Sequence, residues 1–280
     1  QEFFEGGQAE PFQTVCRSNG KQLYLSLTSE LKLKRLMVAG FEKVYEISQS
    51  FRNEGIDRMH LPEFTLLELY AVNQDYRDMM RLLEQMTAFV LAESVGQVAL
   101  SYDGNEISFE PPFERKTFNE CCLEYIGISG CECTSSRLAM KYPGIFYREM
   151  DEFTWTMKLV DKIFTPKIIK PTFLTDIPAG VPHLVKRHHD QEGLSESAFF
   201  IAMGVNMATI STDENDVRIV APLLWEQSKK TGRPINQDYL NVLDFGLPQT
   251  AGIGFGLNRF FMLLQKGEKN AKETCIFSVF

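Results

Sequence analysis

Two neighbouring segments with the alternation of a β-strand constrain the fold of this chain more than any other feature. In residues 43–51, apolar side chains such as Tyr45 and Ile47 alternate with polar ones, which is the period of a strand with two unlike faces. Residues 63–72 also read as a strand, and the turn-forming segment GIDRMHLP lies between the two. Because a short loop joins antiparallel strands whereas parallel strands need a long crossover, the pair predicts an antiparallel sheet rather than a parallel nucleotide-binding unit.

Helical periodicity and turn residues predict the elements around this pair. A helix is expected over 29–39, ending at Gly40, and a second helix is expected from Asp75. The other expected elements are a hairpin around Asp103-Gly104, mainly helical structure over 117–165, strands at 171–175, 198–202 and 206–212, a helix at 217–230, and a strand running into a helix within QTAGIGFGLNRFFMLLQKG. Since the chain has no repeat, low-complexity segment or linker, residues 1–280 are expected to form one continuous domain, with about 105–165 as a helical insertion.

The composition is that of an ordinary globular protein able to bury a sizeable core, with 280 residues, 44% of them hydrophobic and 24% charged. The sequence has no apolar run of the roughly 18 residues that a membrane helix needs, and its start, QEFFEGGQAEPF, lacks the layout of a signal peptide. These features predict a cytoplasmic protein. The six cysteines are expected as free thiols. A formal charge of −8 argues against a broad positive surface for nucleic acid.

The two predicted strands carry a set of polar and aromatic side chains that suits ligand binding. Alternation places Arg52 and Glu54 on one face of the first strand, and it groups four residues on one face of the second: Phe64, Leu66, Glu68 and Tyr70. A fixed cation, an aromatic ring and carboxylates on one wall suit a phosphorylated, flat-ringed ligand beside an amine. A surface hairpin held by salt bridges is the alternative interpretation.

The alternating glycines near the end of the chain form a second notable pattern. Gly252, Gly254 and Gly256 leave one strand face without side chains, so a flat ring can approach closely. Arg259 follows in the first turn of the next predicted helix. The spacing G-x-G-x-G, with no strand–helix–strand unit after it, argues against a dinucleotide-binding fingerprint.

These segments resemble the signature motifs of class II aminoacyl-tRNA synthetases. FRNEGIDRMHLPEF resembles the second motif and GIGFGLNR the third. Five segments resemble lysyl-tRNA synthetases in particular, and together they cover most of the chain except about 95–165. They are EGGQAEPF, SELKLKRLMVAGFEKVYEISQSFRNEG, HLPEFTLLELYAVNQDYRDMM, PTFLTDIPA and FGLPQTAGIGFGLNR. The resemblance implies an α+β fold, an antiparallel sheet flanked by helices, and attack of an amino acid carboxylate on the α-phosphate of ATP to give an aminoacyl-adenylate and pyrophosphate.

The resemblance also implies an ATP site. Arg52 would hold the α-phosphate, and Arg259 would contact adenine and the γ-phosphate, which makes these two the expected catalytic residues. Phe64 would stack on adenine. The remaining expected ATP-binding residues are Asn53, Glu54, His60 and Gly256.

For the amino acid, the resemblance implies a lysine pocket. Glu30 would receive the α-ammonium, while Glu68 and Tyr70 would define the side-chain end. The remaining expected contacts are Thr28, Ser29, Thr209 and Asp213.

The stretch SAFFIAMGVNMATISTDEND departs from the family pattern for metal and substrate binding. Ala198 or Phe199 replaces the first metal-binding glutamate and Asn206 the second, so Mg²⁺ is expected with ATP but with weakened binding, and no metal ligand is assigned with confidence. In the pocket, Thr209, Ser211 and Asp213 replace an asparagine, an aromatic residue and a glutamate. Asn258 stands where the third motif has an acid and Leu61 where the second has an asparagine.

Three functions fit this pattern. The first is a lysyl-tRNA synthetase-like ligase, which would be a homodimer by resemblance and would transfer lysine or an analogue to tRNA. The second is the elongation factor P lysine ligase, which resembles this catalytic core without an anticodon-binding domain and acts on a protein lysine; Gly254 stands where that ligase has an alanine. The third is a catalytically weakened paralogue that binds nucleotide or a partner protein. A first motif and an anticodon-binding domain are not recognised within residues 1–280.

Overall fold

The computed structural model describes residues 9–179, 184–232, 235–265 and 270–275, leaving aside the side chains of 227, 230 and 231. In chain order its strands and helices are β1 (Gln13–Val15), β2 (Gln22–Tyr24), α1 (Glu30–Val38), β3 (Lys43–Phe51), β4 (Glu63–Val72), α2 (Tyr76–Val95), β5 (Ala99–Tyr102), β6 (Asn105–Ser108), β7 (Glu114–Thr117), α3 (Phe118–Ile126), α4 (Ser135–Lys141), α5 (Glu152–Leu159), β8 (Thr172–Pro178), β9 (Leu194–Ala202), β10 (Val205–Thr212), α6 (Val217–Thr231), α7 (Gln237–Gly246), β11 (Thr250–Gly256) and α8 (Leu257–Met262).

The chain divides into two compact units. The first consists of Gln1–Gln74 with Asp213–Phe280, and the second is Asp75–Thr212. The sequence led us to expect one continuous domain over 1–280, and that expectation remains a prediction. Part of the segment EGGQAEPF falls outside the described residues.

In the first unit, β4 lies between β3 and β11 and is antiparallel to both. Lys43 pairs with Ala71 and Phe51 with Glu63, so the predicted bounds of both strands are confirmed. The helix predicted over 29–39 is α1, and Gly40 follows it with φ +99°. This left-handed conformation costs glycine little, which explains where the helix ends.

Gly252 on β11 is required by the close approach of a side chain. Tyr70 lies opposite it on β4, and a Cβ built at Gly252 would overlap Cδ1 and Cε1 of the Tyr70 ring and lie 2.9 Å from the carbonyl oxygen of Leu69. A Cβ at Gly254, two residues on, would meet no atom within 4 Å. The prediction that this face lacks side chains is therefore confirmed, and its two ends differ: Tyr70 covers one and the other is open.

In the second unit, β8, β9 and β10 are antiparallel in the order β10–β9–β8, but β7 pairs with β8 in parallel. The expected antiparallel sheet is therefore mixed at this pair. Three aromatic rings stack in the core beside it: Phe113 lies 5.8 Å from Phe173 and 5.3 Å from Phe200, measured between ring centroids. Such packing stabilises the edge strand by apolar burial.

The second predicted helix is α2, and the predicted residue, Asp75, is its N-cap. Asp75 accepts hydrogen bonds from the backbone of Arg77 and Asp78, and the Asp78 side chain accepts one from the Asp75 backbone, which makes a capping box. Met79 and Leu83 are buried, as the apolar spacing suggests, whereas Phe89 is 65% exposed. Periodicity identified this helix but did not identify its whole buried face.

Residues 117–165 are mainly helical, as predicted, with α3, α4 and α5 followed by a π-helical turn at Val160–Phe164. Their core contains Phe118, Trp155 and Phe164 together with Leu174 and Phe199 from the strands of the same unit. The predicted hairpin around Asp103-Gly104 is β5–β6, and both turn residues have positive φ. The sequence did not lead us to expect β1, β2, β7 or α7.

All six cysteines are free, as predicted. Cys121, Cys122 and Cys133 are buried in the second unit, and Cys131 is exposed. Burial raises the pKa of the Cys121 thiol to about 12. Within the described ranges, no helix combines the length and apolarity that crossing a bilayer requires.

Candidate functional site

One face of β4 carries the candidate site in the first unit. Glu68 faces Gly254 on β11 and Glu46 on β3, and Leu66 faces Gly256. Because alternate residues share a face, Phe64, Glu68 and Tyr70 line one strip of the sheet. Since Gly254 contributes no side chain there, the strip is open beside Glu68.

Arg52 is the first residue after β3, and its backbone N–H donates to the carbonyl oxygen of Pro62 at 2.8 Å. Its guanidinium carbon lies 5.2 Å from the centroid of the Phe64 ring, a cation–π contact. Its Nε is buried and has no hydrogen-bond partner among the described residues. Burial lowers the pKa of Arg52, and the carboxylates of Glu54 and Glu68 oppose that shift. A half-buried arginine whose Nε has a donor to spare is suited to an anion.

The placement of Arg52 and Glu54 on the first strand is wrong, because β3 ends at Phe51 and both residues lie in the loop that follows. Glu54 is exposed and its Oε1 accepts the backbone N–H of Glu10 at 3.2 Å. The neighbouring Asn53 donates its N–H to the carbonyl oxygen of Glu10 at 2.7 Å. The loop therefore pairs with the segment around Glu10 instead of continuing the sheet.

His60 lies in the same loop and is 43% exposed. Its Nδ1 is 2.8 Å from Oδ1 of Asp57, and the Asp57 N–H donates to the carbonyl oxygen of His60 at 3.2 Å. These contacts fix the loop from within. The predicted ATP contacts of Asn53, Glu54 and His60 remain predictions.

Arg259 is half-buried on α8, and its Nε is 3.4 Å from the carbonyl oxygen of Met59. This contact joins the third-motif helix to the second-motif loop, so the two arginines expected to hold phosphates belong to one connected structure. Gly256 ends β11 opposite Leu66 on β4. Whether Arg259 and Gly256 bind ATP remains a prediction.

Asn258, which stands in place of an acid, has a structural explanation. Its Oδ1 accepts the N–H of Thr65 at 2.6 Å and its Nδ2 donates to Oγ1 of Thr274 at 2.9 Å. The Thr274 hydroxyl already donates to the carbonyl oxygen of Ala271 at 2.6 Å. An ionised carboxylate at this position could only accept hydrogen bonds. It would accept the N–H of Thr65 but could not donate to the hydroxyl of Thr274.

The start of α1 is anchored on Glu68. The Thr28 hydroxyl donates to Oε1 of Glu68 at 2.5 Å, and the N–H of Ser29 donates to Oε2. The N–H of Glu30 in turn donates to the Thr28 hydroxyl at 3.1 Å. Burial raises the pKa of Glu68, and these hydrogen bonds oppose the rise. The structure thus brings together four of the residues expected at the amino acid.

Lys34 joins this cluster, and the sequence interpretation missed it. Its Nζ donates to Oε1 of Glu30 at 2.6 Å and lies 3.0 Å from Oδ1 of Asp213. The side chain is 1% exposed, and Nζ is 5.5 Å from the centroid of the Tyr70 ring. The spacing of Glu30 and Lys34, four residues apart on a helix, was the available signal.

Asp213 is also buried, with 2% of its side chain exposed. Its backbone N–H donates to the carbonyl oxygen of Thr250 at 2.8 Å. Within the part of the chain that the structure describes, its Oδ2 is buried without a hydrogen-bond partner. Burial raises the pKa of Asp213 to about 6, although the charge of Lys34 lowers it. Burial likewise raises the pKa of Tyr70 well above its usual range.

Thr209 and Asn206 lie on β10 in the second unit. Thr209 is exposed and pairs with Phe199, while Asn206 is half-buried and pairs with Ile201. Their predicted roles remain predictions. The positions expected to bind Mg²⁺ carry no carboxylate, and no three His, Cys, Asp or Glu side chains converge on a metal site among the described residues. The residues at these positions do not fit a carboxylate-bound Mg²⁺.

Comparison with known families agrees with this geometry. The family described as tRNA synthetases class II (D, K and N) matches residues 2–279. The chain belongs to this family. The predicted resemblance is thereby confirmed, and so is the class II α+β fold, apart from the parallel β7–β8 pair.

Curated relatives of the class II chain include three proteins named lysine–tRNA ligase. The chain is 33% identical to the protein of Methanoculleus marisnigri, over 99% of the chain and 56% of that relative. It is 34% identical to the protein of Thermosynechococcus vestitus, over 92% and 53%, and 35% identical to that of Pelotomaculum thermopropionicum, over 92% and 54%. The chain therefore spans about half the length of the curated relatives it matches.

Proposed function

We propose that this chain is the catalytic core of a ligase that activates lysine, or a close analogue, with ATP and transfers it to an acceptor. The observation that carries the proposal is the strip on β4, where the half-buried Arg52 lies against an aromatic ring at one end and three carboxylates gather at the other. The names of the relatives support lysine as the substrate and tRNA as the acceptor.

The chemistry asks the protein for positioning and charge neutralisation more than for covalent participation. Arg52 would stabilise the negative charge that develops on the α-phosphate as the amino acid carboxylate attacks. Its partial burial strengthens that interaction, because a charge in a low-dielectric site is poorly screened. Phe64 already packs one ring face against Arg52 and would offer its other face to a flat base. No step of the proposal passes through Mg²⁺.

At the other end of the strip, Glu30 would bind the α-ammonium of the substrate, and Asp213 its side-chain ammonium. Thr28 and Ser29 act on Glu68, since both donate to its carboxylate and hold the start of α1 against β4. This arrangement orients the amine between fixed carboxylates before the reaction. The assignment of each group to the substrate rests on the family resemblance and the geometry together.

Pyrophosphate exchange over a panel of amino acids tests the proposal. We expect pyrophosphate exchange that depends on lysine. Arg52→Met should lower the exchange rate about a hundredfold or more, because it removes a group that stabilises charge in the transition state. Arg17→Met is the matched control, because Arg17 is exposed in the turn between β1 and β2. If ATP binds but no amino acid supports exchange, the chain is the weakened, nucleotide-binding paralogue and the proposal fails.

The acceptor needs a separate experiment. Incubation of radiolabelled lysine with either tRNA or elongation factor P would show which one receives the label. Label on elongation factor P would mean that the protein is a lysine ligase for that factor and not a tRNA ligase. A homodimer in the cytoplasm is proposed from the family alone, and light scattering of the purified protein would test the dimer.

A further inference from the structure

Lys34 is a buried cation that connects two carboxylates distant from each other in the sequence. Glu30 lies on the same helix, one turn before Lys34, and Asp213 reaches it from the segment that precedes α6. Both distances, 2.6 Å and 3.0 Å from Nζ, are those of charge-assisted hydrogen bonds. These are the two residues expected to receive the two ammonium groups of a lysine substrate.

We infer that Lys34 is a positioning residue that keeps Asp213 ionised and leaves one of its oxygens for a substrate ammonium. The inference rests on the proposed function and specifies how the pocket would select its amino acid. Oδ1 of Asp213 is occupied by Lys34, and Oδ2 is buried with no partner among the described residues. A buried carboxylate oxygen is costly to leave without a donor, so a ligand ammonium is the group that would satisfy it.

The charges of the cluster support a substrate with two ammonium groups. Glu30, Glu68 and Asp213 supply three carboxylates, and Lys34 compensates one of them. Two negative charges remain to face the two ammonium groups of lysine, whose carboxylate is the group that would attack the phosphate. Arg52 lies at the Phe64 end of the strip and would be engaged with phosphate.

Without the ammonium of Lys34, Asp213 would lose its negative charge. Burial raises the pKa of Asp213 to about 6 even though Lys34 opposes the shift. The other ionisable groups that act on the pair are Glu30 on α1, Tyr70 on β4 and Tyr239 on α7, and none of them is a cation. Removing the ammonium would therefore raise the pKa of Asp213 further, and the neutral acid would bind an ammonium poorly.

The test is Lys34→Met, which keeps the length of the side chain and removes its charge. Lys32→Met is the matched control, because Lys32 is exposed on the same helix. Lysine binding is measured by calorimetry and the KM values for lysine and ATP by pyrophosphate exchange. We expect Lys34→Met to weaken lysine binding at least about thirtyfold near neutral pH, as when one partner of a buried charge pair is lost. The KM for ATP should change less than about threefold, in keeping with a local loss of charge, and Lys32→Met should match the wild type.

The pH profile distinguishes this role from mere structural damage. Raising the pH towards about 8.5 shifts Asp213 of Lys34→Met towards its ionised form while the side chain of lysine stays charged, so the lysine affinity of this variant should increase with pH. The increase should be absent in Lys34→Met/Asp213→Asn. Lys34→Arg, which keeps the charge, should bind lysine more tightly than Lys34→Met.

Each outcome decides the inference. Equal losses for lysine and ATP, unchanged lysine binding, or a loss that pH does not reverse would overturn it. If Lys34→Met fails to fold, Asp213→Asn takes its place, with an expected loss of preference for lysine over the uncharged norleucine. Wild-type protein that binds lysine without exchanging pyrophosphate would sink the proposed function alone, since calorimetry still tests Lys34. Wild-type protein that binds no lysine would overturn both.

Discussion

Replacing Gly252 with alanine should destabilise the first unit, whereas the same replacement at Gly254 should not. The two glycines lie on the same face of β11, opposite Tyr70 and Glu68 respectively. A Cβ at Gly252 would overlap the Tyr70 ring and lie 2.9 Å from the carbonyl oxygen of Leu69, which belongs to the backbone and cannot move aside cheaply. A Cβ at Gly254 would meet no atom within 4 Å.

The size of the difference follows from opposing contributions. Overpacking a well-ordered site costs about 1–3 kcal/mol. An alanine also restricts the unfolded chain, which contributes about 0.4–1 kcal/mol in the other direction. Gly252→Ala should therefore lower the free energy of unfolding by about 1–2 kcal/mol, roughly a 5- to 30-fold change in the opening equilibrium, and Gly254→Ala should leave it unchanged or raise it slightly.

Hydrogen exchange of the backbone amides in 250–256, followed by mass spectrometry, measures this opening directly. Exchange should be faster in Gly252→Ala and unchanged or slower in Gly254→Ala, with urea unfolding as an independent check. In pyrophosphate exchange, Gly254→Ala should impair ligand binding more than Gly252→Ala, because the new methyl group at 254 enters the open strip beside Glu68. Equal protection in the two variants would refute the claim that the close approach of Tyr70 and Leu69 makes glycine necessary at position 252.

The remaining predictions concern other single residues. Asn258→Asp should destabilise the protein by about 1–3 kcal/mol at neutral pH, because an ionised carboxylate cannot donate to Thr274, and thermal unfolding should show the loss shrinking at low pH, where the acid can donate. Thr28→Val removes a hydrogen bond that opposes the raised pKa of Glu68, so the pKa should rise further; the KM for lysine should then increase as the pH falls towards that pKa, more than in the wild type. Of the second-unit thiols, Cys131 should react first with a disulfide reagent in the folded protein, as a timed thiol assay would show.

The first unit shows how far local patterns can be read. The bounds of β3 and β4 and the bare strand at Gly252 follow from side-chain period and glycine spacing, and in the second unit the capping box at Asp75 marks where α2 begins. Each depends on interactions within a few residues of the chain, or on a strand face that alternation alone defines. The motif resemblance adds the family, and residues 2–279 confirm it.

Other features required the folded chain. The apolar spacing of α1 includes Leu36, yet Leu36 is 40% exposed and the charged Lys34 is buried. The helical period could not show that Lys34 is buried, because its buried ammonium is paired with the carboxylate of Asp213, which is distant in the sequence. The loop after β3 likewise turns Glu54 towards Glu10 through contacts that no local pattern encodes.

By itself, the sequence determined β3 and β4, the glycine face of β11 and the residue types available for a phosphate and an amine, since these depend on the periodic geometry of the backbone. Only the tertiary structure decided the charge of the amino-acid pocket. That charge depends on which buried groups come within about 3 Å of one another, and on how strongly their shared desolvation shifts each pKa. Contacts between distant parts of the chain, such as the one between Lys34 and Asp213, have no signature in local order.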